Sequence, residues 1–182
     1  MQASQCYVYE PFGVCLIIAP FNYPLLLCMW PLIGAIVAGN VAVIKPSELC
    51  SSTEMALREL IPKYLDDSCF KVVTGDAKVA TSLLEQRWDF IFFTGSSRVA
   101  KIIAQAAAKH LTPHVFELGG KTPVFVDSAC SDLKVAARRI LWSKFLNAGQ
   151  TCVAADFALI HTDIFDEFLK VISQTLVEFY GE

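Results

Sequence analysis

Cys152 stands in a polar turn that follows an amphipathic stretch, and Gly149, Gln150 and Thr151 directly precede it. A lone cysteine is most often a small buried hydrophobic residue, and that interpretation stays open at this point. Glycine, glutamine and threonine are poor core residues, however, and they suit a thiol that must meet a substrate. The turn therefore indicates a cysteine nucleophile, provided that its surroundings favour the reactive thiolate.

Two further side chains could assist such a nucleophile. Glu117 ends an apolar run and precedes two glycines, and Asn22 lies between Pro20 and Pro24. Glu117 is either an exposed carboxylate at a strand end or a general base held in an apolar site. Asn22 is either a turn-forming residue or a rigidly mounted amide donor for a developing oxyanion. The residue types alone leave both alternatives open.

Two other segments have the residue types of a nucleotide site. Lys45 and Glu48 are three residues apart after an apolar run, so they are either a solvated pair or ligands for the hydroxyls of a ribose. Gly95 and Ser96 open an alanine-rich amphipathic stretch. A helix that begins there offers free N–H groups and a positive dipole end to a phosphate, although this signal alone is weak.

Short apolar runs alternate with amphipathic stretches along the chain, which indicates strands alternating with helices. Ser131 is the expected N-cap of the fifth helix, and Gly149 is its expected end. The expected strands are 14–19, 41–45, 70–73, 89–93, 114–118, 123–126 and 157–160. The expected helices are 24–38, 51–65, 79–85, 98–109, 133–148 and 165–180, the last with Phe168, Leu169, Ile172, Leu176 and Phe179 on one face.

This alternation predicts a Rossmann-like α/β fold, in which a parallel sheet has helices on both faces. Ligands of such sheets bind at the carboxyl ends of the strands. The segments that begin at Lys45, Thr94 and Glu117 each follow a predicted strand. We therefore expect all three to gather at one edge of the sheet.

Composition excludes several other classes of protein. The net charge is −3 with no basic run, so nucleic acid is not an expected partner. Seven cysteines are scattered without a Cys-x-x-Cys pair, which argues against disulfides or a metal site and favours a cytoplasmic protein with reduced thiols. No secretory signal is expected at the N-terminus. The uncharged run 11–44 is interrupted by prolines, so no membrane span is predicted.

Five segments in this order resemble the aldehyde dehydrogenase superfamily. Phrases such as YLDDSCF, KHLTP and AGQTCVAADF resemble its class 3 branch, which acts on fatty and aromatic aldehydes. The coenzyme turn departs from the common family pattern, because Ala100 stands where many members have glycine. The matching segments are APFNYP (19–24), KPSE (45–48), FTGS (93–96), ELGGK (117–121) and FxxxGQTC (145–152).

The resemblance implies a reaction and a role for each residue. Cys152 is expected to attack the aldehyde carbon, and Asn22 with the backbone N–H of Cys152 to stabilise the oxyanion of the thiohemiacetal. Hydride transfer to the nicotinamide then leaves a thioester. Glu117 is expected to activate the water that releases the carboxylic acid. An enzyme that passes its thioester to coenzyme A is a rival, but it has no need of Glu117 as a base.

The resemblance also implies a coenzyme, NAD or NADP, with the choice between them open. Lys45 and Glu48 are expected to hold the adenosine ribose, and Gly95 and Ser96 to face the pyrophosphate. Leu118 and Gly119 complete the expected set of coenzyme-binding residues.

Family enzymes are more than twice this length, so we expect the chain to be part of a longer enzyme. Residues 1–118 are expected to form the coenzyme-binding Rossmann-like part, and residues 119–182 the beginning of a truncated catalytic α/β domain. The full-length form is expected to be a homodimer acting on a small fatty or aromatic aldehyde. A catalytically inert fragment is the alternative for this polypeptide, and a membrane anchor further along a longer chain stays open.

Overall fold

Five short apolar segments form one parallel sheet in the first part of the chain. The computed structural model describes residues 4–181. The strands lie in the order β3-β2-β1-β4-β5, so the chain adds strands on one side of β1 and then returns to add them on the other. The strands are β1 (Val14–Ile18), β2 (Val41–Lys45), β3 (Phe70–Val72), β4 (Phe90–Gly95) and β5 (His114–Leu118).

Helices cover both faces of this sheet, as the alternating pattern predicts. One core packs Ile17 of β1 against Leu32 and Leu57 from the first two helices. The core on the other face packs Leu16 of β1 against Ile103 and against side chains of the third helix. The helices are α1 (Leu26–Val37), α2 (Ser51–Tyr64), α3 (Ala77–Leu84) and α4 (Ser97–Ala108).

A second compact unit begins at Gly119, where the first unit ends at Leu118. It contains a strand–helix–strand crossover with two parallel strands, followed by a further helix. Its core joins Val126, Ala137 and the fully buried Phe168. The elements are β6 (Thr122–Val126), α5 (Leu133–Phe145), β7 (Ala155–Ile160) and α6 (Phe165–Tyr180).

Most expected elements are present within one or two residues, but three local expectations are wrong. Asp132, not Ser131, caps α5, because its carboxylate accepts the N–H of Val135 at 2.9 Å. The α-helical part of α5 ends at Phe145 rather than near Gly149, since a different backbone conformation follows. On α6, Leu169 is exposed, and Val171 packs on the core beside Phe168 in its place.

None of the helices in residues 4–181 is long and apolar enough to cross a membrane. The uncharged run is divided into β1, a loop that holds Pro20 and Pro24, the twelve-residue helix α1 and most of β2. Pro31, which was also expected to interrupt the run, lies inside α1 without ending it.

Replacing Leu16 by alanine tests the double-sided burial of β1. Leu16 has no exposed surface, so Leu16→Ala should lower the free energy of unfolding by about 2–5 kcal/mol. Leu60→Ala on the solvent-facing side of α2, where the side chain is 44% exposed, should cost less than about 1 kcal/mol. Urea denaturation followed by circular dichroism measures both. Equal losses for the two variants would contradict this account of the core.

Candidate active site

The strand order of the first unit reverses at β1, and this reversal defines a crevice at the carboxyl edge of the sheet. Strands β1 and β4 are parallel neighbours, but their connections leave in opposite directions along the sheet. Such a switch point is where ligands bind in open α/β sheets. Asn22 follows β1, Gly95 is the last residue of β4, and Ser96 follows β4. The polar segments therefore gather at one edge, as the sequence predicts.

Lys45 and Glu48 form a direct ion pair at this edge. Lys45 ends β2, and its side chain is only 5% exposed. Its Nζ donates to Glu48 Oε2 at 2.9 Å and to the carbonyl oxygen of Pro46 at 2.7 Å. Ser47 caps the short 3₁₀ turn that carries Glu48, because its hydroxyl accepts the N–H of Leu49. The pair is thus fixed in place beside the switch point.

The ion pair alters the acidity of Glu48. Partial burial raises the pKa of its carboxyl, but a backbone hydrogen bond together with the hydrogen bond and charge of Lys45 lowers the pKa overall. Glu48 is therefore held in its ionised form, in which both oxygens accept hydrogen bonds. A carboxylate acceptor beside an ammonium donor fits the two vicinal hydroxyls of a ribose.

The turn between β4 and α4 has groups suited to a phosphate ligand. Ser96 is the N-cap of α4, since its hydroxyl accepts the N–H of Val99 at 3.4 Å. A Cβ on Gly95 would lie 2.5 Å from the ring of Phe93, so a larger residue would require that ring to move. Within residues 4–181, the buried hydroxyl of Thr94 has no hydrogen-bond partner. An orphaned hydroxyl next to a capped helix start fits a bound dinucleotide.

Ala100, the departure from the family pattern in this turn, lies within α4 and keeps a regular helical hydrogen bond. Its side chain is almost fully buried in the core beneath α4, and its N–H donates to the carbonyl oxygen of Ser96 at 3.0 Å. The methyl group therefore contributes to the core rather than to the coenzyme turn.

Glu117 and Leu118 lie at the same edge on β5. In the register of the sheet, Glu117 is opposite Thr94 and Leu118 is opposite Gly95. Glu117 is exposed, so the apolar burial that the general-base interpretation invokes is not present around this carboxylate in the described chain. The pairing nevertheless places Glu117 beside the coenzyme turn.

The loop that carries Asn22 is anchored on both sides. Ala19 donates its N–H to the carbonyl oxygen of Lys45 at 3.0 Å. The thiol of Cys50 donates to the carbonyl oxygen of Phe21 at 3.2 Å. Asn22 itself is half-buried. These contacts, together with the flanking prolines, give the amide the rigid mount that an oxyanion donor requires.

Cys152 follows a strained turn in the second unit. Asn147, Ala148 and Gly149 have φ values of 53°, 55° and 75°, and the first two are rare for residues with a side chain. Consecutive left-handed residues cost conformational energy and persist at functional sites where the surrounding structure holds them. Cys152 is exposed after this turn, as a thiol that meets a substrate must be. Its position relative to Asn22 and Glu117 stays a prediction, because those residues belong to the first unit.

Sequence reasoning missed two residues that support the cysteine turn. Between β6 and β7 the register pairs Thr122 with Ala155 and Pro123 with Phe157, so Asp156 is an extra residue on β7 between these two pairs. Asp156 forms ion pairs with Lys121 at 3.2 Å and Lys144 at 3.8 Å, and both lysines precede the cysteine segment in the chain. A Cβ on Gly120 would lie 3.0 Å from the carbonyl oxygen of Cys152.

Both residues could be found only with the strand pairing known. Asp156 lies four residues after Cys152. The only sign in the sequence that it contacts Lys121 is that the two side chains carry opposite charges. The sequence shows Gly120 as the second glycine of ELGGK, but it does not show that Gly120 lies against the backbone of Cys152.

The reversed strand order and the polar carboxyl edge define a Rossmann-like α/β protein. A family model described as the aldehyde dehydrogenase family matches residues 1–179. The chain belongs to the aldehyde dehydrogenase family.

Curated relatives are similar over nearly the whole chain. Aldehyde dehydrogenase family 3 member B1 of Homo sapiens is 51% identical over 173 residues, which are 95% of this chain and 37% of that protein. Aldehyde dehydrogenase family 3 member A2 of Mus musculus is 50% identical over 173 residues, 95% of this chain and 36% of that protein. The chain therefore spans a little over a third of the length of these relatives.

Solved structures are also similar over nearly the whole chain. AldH of Staphylococcus aureus in a substrate-bound state has a TM-score of 0.89 and 46% identity, over 95% of this chain and 38% of that chain. A mutant of aldehyde dehydrogenase C of Pseudomonas syringae, in complex with NAD+ and octanal, has a TM-score of 0.85 and 31% identity, over 91% of this chain and 35% of that chain.

The two glycines after Leu118 provide a matched test of the cysteine turn. Gly120→Ala should destabilise the protein by on the order of 1 kcal/mol, because its methyl group meets the Cys152 carbonyl oxygen. Gly119→Ala should change stability by less than about 0.5 kcal/mol, since no heavy atom lies within 4 Å of a Cβ built there. Urea midpoints measure both. A larger loss for Gly119→Ala would show that the close approach is wrongly assigned.

The lowered pKa of Glu48 predicts a pH-dependent contribution to stability. Because the folded pKa lies below the ordinary value of 4.5, this contribution is fully present above that value and is lost as the pH falls through the folded pKa. Glu48→Gln should therefore lower the urea midpoint at about pH 6 and have little effect at about pH 3. Glu59→Gln, at an exposed position on α2, serves as control. A Glu48→Gln effect that does not shrink in acid would rule out the ion pair as its source.

Proposed function

We propose that this chain is the coenzyme- and nucleophile-bearing part of an enzyme that oxidises aldehydes to carboxylic acids with NAD or NADP. Its family membership supports the reaction class. The observation that carries the proposal is the exposed Cys152 thiol on a strained turn, in a segment that matches the family's nucleophile motif. The activity is that of the whole protein, since the part of this chain that matches a curated relative is only 37% of that relative's length.

The first chemical step joins Cys152 to the substrate. The thiolate sulfur forms a bond to the aldehyde carbon, and the electron pair of the C=O bond moves to oxygen. The Asn22 amide and the backbone N–H of Cys152 donate hydrogen bonds to this oxyanion. The anchored loop 19–24 supports the Asn22 assignment, because a donor held in advance does not have to reorganise during the reaction.

The second half of the reaction releases the acid. A bound nicotinamide coenzyme supplies the hydride acceptor. Loss of hydride from the aldehyde carbon leaves a thioester on Cys152. Glu117 takes a proton from water, the water oxygen bonds to the thioester carbon, and Cys152 departs as the thiolate. The exposure of Glu117 supports its access to water.

The coenzyme lies, in this proposal, along the carboxyl edge of the first unit. Lys45 and Glu48 bind the ribose hydroxyls, and the N-terminus of α4 at Gly95 and Ser96 binds the pyrophosphate. Leu118 and Gly119 are the remaining coenzyme-binding residues, near the nicotinamide end of the coenzyme. The buried hydroxyl of Thr94 supplies a donor that the described protein does not use, which supports a ligand at this turn.

We further propose a fatty or aromatic aldehyde as the substrate, a homodimer as the full-length form and the cytoplasm as its compartment. Similarity to family 3 members supports this substrate class. A structurally similar bacterial enzyme is described in complex with octanal, a fatty aldehyde.

Replacing Cys152 and Glu117 separates the two half-reactions. Hexanal and benzaldehyde are offered with NAD or NADP, and absorbance of the reduced coenzyme is followed. Cys152→Ala should abolish all reduction, because no covalent adduct forms. Glu117→Gln should retain a single burst of reduction and lose steady turnover by about 100-fold or more, because the thioester is not hydrolysed.

The same assays have outcomes that contradict the proposal. Unchanged steady turnover in Glu117→Gln would remove Glu117 from the mechanism, and turnover that depends on added coenzyme A would establish thioester transfer instead of hydrolysis. If the chain reduces no coenzyme while iodoacetamide still alkylates Cys152, this polypeptide is an inert fragment of the family. Cys130→Ala, at a cysteine outside the matching segments, is the matched control.

A further inference from the structure

The loop after β3 lies next to the Lys45–Glu48 pair at the carboxyl edge. Strands β2 and β3 are parallel neighbours, with Ile44 opposite Val72. The N–H of Val73 donates to the carbonyl oxygen of Ile44 at 2.9 Å, so the segments that follow β2 and β3 leave the sheet side by side. The residues that follow β3 therefore approach the same place as those that follow β2.

A buried carboxylate holds this loop in position. Glu54 on α2 is only 7% exposed, and its Oε1 accepts the N–H of Gly75 at 2.8 Å. Gly75 has a φ of +137°, and a Cβ there would lie 2.5 Å from a methyl group of Val79. Only glycine fits at that point, and the hydrogen bond ties the loop to the helix that follows Glu48. The position of the next residue, Asp76, is thus determined from two sides.

Asp76 follows Gly75 on this loop and brings a negative charge to the end of the sheet where Glu48 lies. Its Oδ1 accepts the N–H groups of Lys78 and Val79, which makes it the N-cap of α3. Burial and the nearby charge of Asp76 both raise the pKa of Glu48, although Lys45 and a backbone hydrogen bond lower it overall. Lys45 pairs with Glu48, and Asp76 adds a further carboxylate on the loop that Glu54 holds.

We propose that Asp76 is a specificity-determining residue that makes the coenzyme site select NAD against NADP. The inference rests on the proposed coenzyme site, in which Lys45 and Glu48 hold the adenosine ribose. The 2′-hydroxyl of NAD is neutral and can donate to a carboxylate, whereas the 2′-phosphate of NADP carries between one and two negative charges at neutral pH. Lys45 is already neutralised by Glu48, so the charge of Asp76 repels the phosphate.

Asp76→Asn removes this charge and leaves the helix cap in place. Asparagine caps helices about as well as aspartate, so α3 should not lose its N-terminus. Asp89→Asn is the matched control in the same unit. Asp89 precedes β4 and accepts the N–H of Val14 at 2.9 Å, which puts it at the amino edge of the sheet. A five-residue strand such as β1 spans about 16 Å, so the amino and carboxyl edges of the sheet are separated by well over the Debye length of about 8 Å in physiological salt.

The experiment measures the dissociation constants of NADH and NADPH for the 182-residue chain. Coenzyme fluorescence reports binding without requiring turnover. The wild-type chain should bind NADH more tightly than NADPH. Asp76→Asn should narrow the ratio of the two constants roughly tenfold, mainly by improving NADPH binding, and the change should shrink in high salt. Asp89→Asn should leave the ratio unaltered.

The outcomes separate the two proposals. Binding of NADH with a ratio that is the same in wild type and Asp76→Asn would overturn the role of Asp76 and leave the coenzyme site standing. Equal weakening of both coenzymes in Asp76→Asn would also overturn it, because that result reports damage to the loop rather than selection. Failure of the wild-type chain to bind either coenzyme would overturn the coenzyme site, and the role of Asp76 with it.

Discussion

Strand β1 contributes Leu16 to one core and Ile17 to the other, and both side chains are almost fully removed from water. A parallel strand buried in this way must have helices on both faces of its sheet, because its apolar side chains point to both faces and have to be covered. The chain meets this requirement by winding first to β3 and then back past β1 to β5. The reversal leaves a crevice at the carboxyl edge, and every candidate residue of the first unit lies in a loop or strand end that opens there.

Lys45 shows how charge is tolerated at this edge. A buried ammonium is costly unless it is paired and hydrogen-bonded. Glu48 and the carbonyl oxygen of Pro46 supply those partners, so the lysine is held in one geometry. The loop that carries Asp76 is fixed just as firmly, by the buried carboxylate of Glu54. Charges that are positioned by packing in this way can distinguish ligands, because a mobile side chain would turn away from an unfavourable group.

The second unit uses a different device around its cysteine. Asn147 and Ala148 adopt left-handed conformations that side chains disfavour, and Cys152 follows them on the surface. The ion pairs of Asp156 link β7 to Lys121 and Lys144, and the first of these adjoins the glycine that meets the Cys152 backbone. Surface ion pairs are individually weak, so the bulge and the glycine are the stronger constraints on the turn.

The sequence by itself determined the α/β class, the order of the elements and the family, because these depend on local periodicity and on motifs that are continuous in the chain. It also located the polar segments at strand ends, and hence their meeting at one edge. Only the tertiary structure decided that Asp132 rather than Ser131 caps α5, that Asp156 is the extra residue of a bulge, and that Glu54 holds the loop at Gly75. The physical reason is that strand register, burial and hydrogen bonds between segments depend on how distant parts of the chain pack, and local residue patterns do not specify that packing.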